Sequence, residues 1–198
     1  MGVTLMNQKH LKELIEFARQ GEVEETDEGL LIHGSAIAFG RYTTDVNGKD
    51  VQVDYNLLPA EGLEYLLSVG LASGAQQTAW SVAVYSGAVS PLASWTAANF
   101  SANATEITSA TEGYSNSTRP TWTPGSIVDG VVGNLDSRAI FNIVCSTTLN
   151  ISGAAVLSSN TKGGTSGKLI SAMRYSTARV VNNGDAFGVG YEIGLTDS

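Results

Sequence analysis

The sequence predicts a mainly β protein, in which an antiparallel β-sandwich follows an N-terminal helix and a β-hairpin. Three observations lead to this fold class. From residue 78 onward, short apolar runs alternate with Gly, Pro, Asn and Ser, as they do in antiparallel sandwiches and barrels. Asn47-Gly48 stands between two extended runs, which is the strongest short signal for a hairpin. Ahead of it, residues 6–19 repeat their apolar positions at helical spacing.

The composition favours a protein that packs against other surfaces. Its 198 residues suffice for one domain of roughly 150 residues and an accessory segment. Charged residues make up only 15% of the chain, against about 25% in ordinary soluble domains, and Ser, Thr, Asn and Gly take their place. The net charge is −8 and the 11 basic residues are scattered, so we expect no nucleic-acid binding.

The compartment is predicted from leader, membrane and cysteine signals. The chain does not open with a basic and apolar leader, and it has no run close to the ~18 apolar residues of a membrane helix. We therefore expect synthesis in a cytoplasm and no membrane partner. The single cysteine, Cys145, cannot form an internal disulfide and lies in an apolar run, so we expect a small buried side chain.

Residues 1–28 are predicted to form a helix and an acidic linker. The helix covers residues 6–19, with Asn7 as its N-cap and Gly21 as its stop. Its apolar stripe consists of Leu11, Leu14, Ile15 and Ala18. A helix of this length is marginal alone, so its stripe docks either on its own domain or, as an arm, on a neighbouring subunit. The acidic residues 22–28 have the character of a solvated linker, which favours the arm.

Residues 29–76 are predicted to form the hairpin and a short helix, packed on the main domain or extending it. Extended runs over residues 30–42 and 50–57 flank the Asn-Gly turn. In the second run apolar and polar residues alternate: Val51, Gln52, Val53, Asp54 and Tyr55. This period of two predicts that the apolar side chains are buried and the polar ones face water.

The short helix is predicted to begin at Pro59 and to continue to about residue 69. Proline is favoured in the first turn, and Glu61 and Glu64 lie near the positive end of the helix dipole. Gly70 is the predicted stop.

Residues 77–198 are predicted to form the sandwich itself. Its expected strands are Trp80–Tyr85, 139–145, 151–157, 169–175, 178–181 and 186–195. The last strand has a stripe of alternate apolar residues: Phe187, Val189, Tyr191, Ile193 and Leu195. A tight turn, residues 182–185, precedes it.

The motifs that carry chemistry are weak, and we predict no catalytic, cofactor or metal site. His10 and His33 are interpreted as surface residues, and no Gly-x-Ser-x-Gly elbow is present. Residues 163–168 miss the spacing of a phosphate loop, so a flexible hairpin loop is expected there. Residues 45–50 lack the carboxylate spacing of a calcium loop and are predicted to be a turn.

Two side-chain sets leave alternatives open. Six aromatic residues could line a carbohydrate-binding face, although core packing is the stronger interpretation: Trp80, Tyr85, Trp95, Phe100, Tyr114 and Trp122. A hydrolytic enzyme would need two facing carboxylates, for which Asp129, Asp136 and Asp185 are the central candidates. All three lie in turn-like sequence, so turn residues are expected.

Several ordered segments carry a resemblance to a known group of proteins. These are residues 56–63 (NLLPAEGL), 80–85 (WSVAVY), 112–122 (with EGYS, TRP and Trp122), 157–169 and the Gly184-Asp185 pair. Together they resemble a widespread group of small tailed-phage virion proteins, described as head decoration (cement) or fibre-like proteins. The similarity spans about residues 56–198, and the segment before it departs from the pattern.

The resemblance implies a jelly-roll-like sandwich on the capsid exterior, often as trimers, with the major capsid protein as partner and no catalytic residues. We therefore expect a capsid decoration protein. A tail-fibre or receptor-recognition module that binds host glycans is the alternative, and a cellular carbohydrate-binding or hydrolytic sandwich is a third class. Independently of the resemblance, Leu11, Leu14 and Ile15 or the adjacent hairpin are predicted to dock on the capsid or on another subunit.

Overall fold

The computed structural model describes the backbone of residues 23–26, 29–32 and 36–197, and the side chains over residues 38–195. The predicted helix at residues 6–19 lies outside this part of the chain. So do five residues of interest: the predicted docking residues Leu11, Leu14 and Ile15, and both histidines, His10 and His33.

The chain divides into two compact units, Met1–Ile37 with Thr196–Ser198, and Ala38–Leu195. In the first unit, β1 (Val23–Thr26) and β2 (Gly29–Ile32) form an antiparallel pair, with Val23 opposite Ile32. Residues 23–26 had been predicted to belong to a solvated linker. They form a strand instead, because the apolar run 30–32 offers them a β-prone partner.

The second unit is mainly β. Its strands are β3 (Ala36–Val46), β4 (Lys49–Tyr55), β5 (Trp80–Tyr85), β6 (Gly113–Tyr114), β7 (Thr121–Trp122), β8 (Val131–Gly133), β9 (Ala139–Val144), β10 (Thr148–Leu157), β11 (Leu169–Asn182) and β12 (Ala186–Asp197). Its helices are α1 (Ala60–Leu71) and α2 (Ala97–Ala104).

Two antiparallel sheets contain these strands. A six-stranded sheet has the order β4-β3-β12-β9-β6, with β8 also beside β12, and a four-stranded sheet has the order β11-β10-β5-β7. The predicted mainly β, antiparallel class is therefore confirmed. After the β3–β4 hairpin the chain changes sheet repeatedly, since β5, β7 and the β10–β11 hairpin belong to one sheet and β6, β8, β9 and β12 to the other.

The larger core lies between the two sheets. It joins Val82 and Ile151 of the four-stranded sheet to Phe141, Phe187 and Tyr191 of the six-stranded sheet. The predicted stripe of β12 contributes to it: its first three members are buried, Ile193 is half-buried and Leu195 is exposed.

A smaller core involves α2, which the sequence analysis did not predict. Phe100 of this helix packs with Tyr85, Trp95 and Leu157. The Asn99 side chain accepts a hydrogen bond from the backbone N–H of Thr96, 2.8 Å away, and so stabilises the first turn. The sequence of α2, AANFSANA, gives no clear helical period, and its burial comes from the tertiary fold.

Helix α1 begins at the predicted place and ends later than predicted. Pro59 is its N-cap, and the helix continues through Gly70 to Leu71 because Gly70 does not adopt a left-handed conformation. A Cβ atom at Gly62 would lie 2.4 Å from the carbonyl oxygen of Ile170. Glycine at this position therefore lets α1 lie directly against β11.

The β3–β4 hairpin forms as predicted and extends the edge of the six-stranded sheet. Asn47 and Gly48 have φ angles of 54° and 71°, which fits the turn that this pair favours. Asp45 accepts a hydrogen bond from the backbone N–H of Gly48, 2.7 Å away, so the calcium-like sequence serves the turn.

The predicted orientation of β4 is wrong. Val51, Val53 and Tyr55 are exposed, whereas Asp54 is buried. The inward side of this edge strand faces the backbone of β11, which bulges at residues 175–178 and needs polar partners there. Asp54 accepts the N–H of Ser176 at 2.9 Å, and Gln52 donates to the carbonyl of Thr177 at 3.2 Å.

The bulge also explains a second difference. The strands predicted at residues 169–175 and 178–181 are one strand, β11, whose pairing with β10 slips between Gly153 and Ile151. In the sequence, the extra residues on β11 look like a break between two strands, although they form a bulge within one.

Candidate functional site

The three candidate acids lie in turns, as expected. Asp129 has a φ of 49° in the turn before β8, and Asp136 lies in the turn before β9. Asp185 accepts the backbone N–H of Asn182 and the side-chain amide of Asn47, and these bonds lower the pKa of its carboxyl below the usual value. Asp185 therefore has a local structural use in its turn.

The six aromatic residues pack in the protein interior, which confirms the core interpretation. Tyr85, Phe100 and Tyr114 have no exposed surface, and Trp95 has only 2%. Trp122 donates its indole N–H to the carbonyl of Tyr191, 3.0 Å away. Of the set, only Trp80 is partly open to solvent.

Most buried charged groups of residues 38–195 are used in pairs, whereas Asp54 accepts hydrogen bonds from Gln52 and from the backbone N–H of Ser176. Asp45 binds Arg138, and Arg179, 7% exposed at its side chain, binds Asp50. Over the described residues no group of three or more His, Cys, Asp and Glu side chains could hold a metal ion. Cys145 is buried, as predicted.

Glu106 and Arg119 form a further pair that the sequence analysis missed. Both side chains have 0% exposure, and Arg119 donates from Nε and Nη2 to the two carboxylate oxygens of Glu106 at 2.8 and 2.7 Å. The two residues are 13 positions apart on different segments, so no local charge pattern could have indicated their contact.

An apolar cleft of about 350 Å³ lies between α1 and strands of both sheets. Tyr65 and Val69 line it from the helix, and Trp80, Trp122 and Ile193 line it from the strands. Its polar lining comes mainly from Gln76 and Gln77, and no charged side chain contributes. We call it the α1 cleft. Its chemistry suits an apolar group.

Beside this cleft, α1 carries an exposed apolar row. Leu63, Leu67 and Leu71 recur every four residues and are 40%, 61% and 84% exposed. We call this row the α1 strip. Residues at this spacing lie on one face of a helix, so the three side chains form one surface.

A second row lies on β4. Val51, Val53 and Tyr55 are 57%, 48% and 77% exposed, and alternate positions on a strand point to the same face. We call this row the β4 strip. Isolated exposed apolar residues are ordinary, but rows on a helix and on an edge strand are features of docking surfaces.

Neither described helix is long and apolar enough to cross a membrane. Comparison with known proteins gives no relative for the chain: no protein-family model matches it, and neither does any curated protein. The site must therefore be interpreted from its own geometry, which comprises an uncharged cleft, an apolar row on the helix that lines it, and a second apolar row on β4.

Proposed function

We propose that this protein is a non-enzymatic structural protein of a tailed-phage virion, a decoration protein that binds the outside of the head and stabilises the seams between capsomers. The β4 strip carries this proposal, because its three apolar side chains face solvent on an edge strand whose Gln52 and Asp54 side chains face inward. The major capsid protein is the proposed partner, and the protein is made in the host cytoplasm before it joins the virion.

The fold is consistent with the resemblance noted in the sequence. The chain moves between the two sheets repeatedly, as a jelly roll requires, and a jelly-roll-like sandwich is part of the proposal. Self-association, as trimers, follows from the same resemblance.

The physical basis of cementing is the burial of surface across a seam. Stable protein interfaces bury about 1,200–2,000 Å² in total, and their centres are depleted in charge. The side chains of the α1 strip, the α1 cleft and the β4 strip are themselves uncharged, so burying them costs little desolvation. Many identical copies on one particle add avidity, since the first contact makes the others effectively intramolecular.

The main alternative, a receptor-recognition module, would need aromatic rings open to a glycan. Of the six aromatic residues considered for that role, Trp80 and Trp122 line the α1 cleft, where only Trp80 is partly exposed, and the other four are buried. Decoration is therefore the function that the geometry favours.

Binding of the purified full-length chain to expanded heads, measured by co-sedimentation, tests the proposal. We expect saturable binding to heads and none to tails, and we expect Val53→Lys and Leu67→Lys to weaken it at least tenfold. Asn103→Lys, at an exposed position on α2, is the matched control and should bind as the wild type does. Recovery of the protein with tails, or unchanged binding by both strip variants, would contradict the proposal.

The predicted role of Leu11, Leu14 and Ile15 is tested in the same assay. Replacing all three by Ser in the full-length chain should reduce head occupancy. Unchanged occupancy would reject that role and leave docking to the hairpin.

A further inference from the structure

Two surface turns contain the pair Asn-Gly, and the sequence has no other such pair. Asn47-Gly48 joins β3 to β4, and Asn183-Gly184 joins β11 to β12. All four residues are exposed, and a Cβ atom added at either glycine would meet nothing within 4 Å. Water therefore reaches both pairs.

Asn-Gly pairs are open to a spontaneous reaction, deamidation. The backbone nitrogen of the glycine attacks the side-chain carbonyl carbon (Cγ) of the asparagine, and glycine has no Cβ to hinder the approach. A bond forms between this nitrogen and Cγ, the bond from Cγ to Nδ2 breaks, and ammonia leaves with the proton of the glycine nitrogen. Water then opens the resulting succinimide ring at either carbonyl, which gives aspartate or isoaspartate.

The reaction needs two local changes. The carboxamide must turn until Cγ lies against the glycine nitrogen, and that nitrogen must lose its proton. A hydrogen bond that holds the carboxamide opposes the first change, and one that uses the glycine N–H opposes the second. The rate in a folded protein therefore depends on how firmly each turn is held.

Asn47 is held at three atoms. Its Nδ2 donates to a carboxylate oxygen of Asp185 at 2.7 Å, its Oδ1 accepts the N–H of Ala186 at 2.9 Å, and its own N–H donates to the carbonyl of Ala186 at 2.8 Å. The N–H of Gly48 donates to the carboxylate of Asp45 at 2.7 Å. Two of these bonds have a charged acceptor, which makes them stronger than bonds between neutral groups.

Asn183 is held less firmly. Its Oδ1 accepts the N–H of Cys145 at 3.2 Å, the long end of the hydrogen-bond range, and its Nδ2 has no acceptor among the residues that the structure describes. The N–H of Gly184 donates to the carbonyl of Ile143 at 2.9 Å, which is a neutral acceptor. One long bond therefore restrains this carboxamide, whereas two shorter bonds restrain that of Asn47.

We propose that Asn183 is a deamidation site of the folded protein, and that the fold protects Asn47 from the same reaction. The reaction consumes water, releases ammonia and needs no further reactant. The assignment is independent of the proposed function, because it rests on the two turns alone.

Deamidation at Asn183 changes the contact between its turn and β9. The succinimide nitrogen carries no hydrogen, so the bond from Gly184 to Ile143 is lost. Isoaspartate then adds a methylene group to the main chain of a turn whose next residue, Asp185, accepts the N–H of Ile143 at 2.9 Å. We expect the amide of Ile143 to exchange its hydrogen faster in the modified chain than in the unmodified one.

Peptide mapping by mass spectrometry tests the assignment on the full-length wild-type protein. Folded samples and samples in concentrated guanidinium chloride are incubated at mildly alkaline pH, and aspartate and isoaspartate are measured at both pairs over time. Each folded-state rate is divided by the unfolded-state rate of the same pair, which removes the influence of neighbouring sequence. This ratio should be higher at Asn183 than at Asn47 by about tenfold or more. A smaller difference, or an intact Asn183 in folded protein while the unfolded sample is converted, would overturn the proposal.

A variant tests the cause of the protection. Asp185→Ala removes the acceptor of the Asn47 side-chain amide and should raise the rate at Asn47 in the folded protein by about fivefold or more. Asp136→Ala, in another exposed turn, is the matched control and should leave both rates unchanged. Circular dichroism establishes that each variant is folded. An unchanged rate at Asn47 in folded Asp185→Ala would show that this bond gives no protection, and if the variant does not fold, the wild-type ratio decides.

Discussion

Glu106 and Arg119 form a buried ion pair whose stability depends on its hydrogen bonds. Removing two charges from water costs several kcal/mol, and only complete hydrogen bonding offsets this. Here the carboxylate accepts three bonds and the guanidinium donates to two carbonyl groups besides the carboxylate. Each buried charge is therefore tolerated only while the other member of the pair is present.

Removal of one member should be costly. Arg119→Met leaves a buried carboxylate without its counter-ion, and we expect unfolding in urea to show a loss of about 3–5 kcal/mol. The double variant Glu106→Leu, Arg119→Met should recover much of this loss. Arg41→Met is the control, because the pair of Arg41 with Glu192 is partly exposed and should be worth about 1 kcal/mol or less. Equal losses in Arg119→Met and Arg41→Met would contradict the argument.

For single residues, the sequence predicts which side chains are buried better than it predicts which side chains form ion pairs. Cys145 and the aromatic residues were correctly expected in the interior, because their side chains gain free energy wherever water is excluded. The partners of Arg119 could not be foreseen, because Glu106 lies 13 positions earlier on another segment and the carbonyl of Ser159 lies 40 positions later.

Among the elements, β4 shows that an alternating sequence can identify a strand without identifying which of its faces is buried. The alternation of its residues correctly predicts a strand, since only a strand has a period of two. It does not say which face is inward. That choice depends on β11, whose bulged backbone requires acceptors and donors from Gln52 and Asp54.

The inverted face gives a prediction for β4. Asp54→Ala removes the acceptor for the N–H of Ser176 and should cost about 1–3 kcal/mol. Val53→Thr keeps a β-branched side chain at an exposed position and should change the free energy of unfolding by about 0.5 kcal/mol or less. Chemical denaturation of both variants measures the two values. A larger loss for Val53→Thr would show that Val53 is packed in the interior.

Of the two helices, the sequence predicted one and not the other. Helix α1 was predictable because Pro59 and two early acidic residues mark its start. Helix α2 was not, because its eight residues are fixed by contacts with distant parts of the chain. One such contact is the carboxylate of Glu61, which accepts the N–H of Ala97 at 2.8 Å and that of Leu169 at 2.8 Å.

In the molecule as a whole, burial raises the pKa of five interior tyrosines above the ordinary value of 10.0. They are Tyr42, Tyr85, Tyr114, Tyr175 and Tyr191. A raised pKa means that the fold favours the neutral form. These groups therefore leave stability unaffected below pH 10 and destabilise the fold progressively as the pH rises above it.

An alkaline titration should show this directly. Above pH 10 each buried tyrosine lowers the free energy of unfolding by about 1.4 kcal/mol per pH unit, because the unfolded chain releases a proton that the folded chain retains. We expect the phenolate absorbance of these five to rise together with the loss of circular dichroism. Full ionisation of all seven tyrosines in a folded protein would overturn this expectation.

The position of β12 has a consequence for biosynthesis. This strand follows both β3 and β9 in the sequence, yet it lies between them in the six-stranded sheet. While a ribosome is still translating the residues before Ala186, β3 and β9 have been made and their shared neighbour has not. Each then carries an unpaired edge that another nascent chain can occupy. The hazard of aggregation is greatest in that interval, and it ends when β12 inserts.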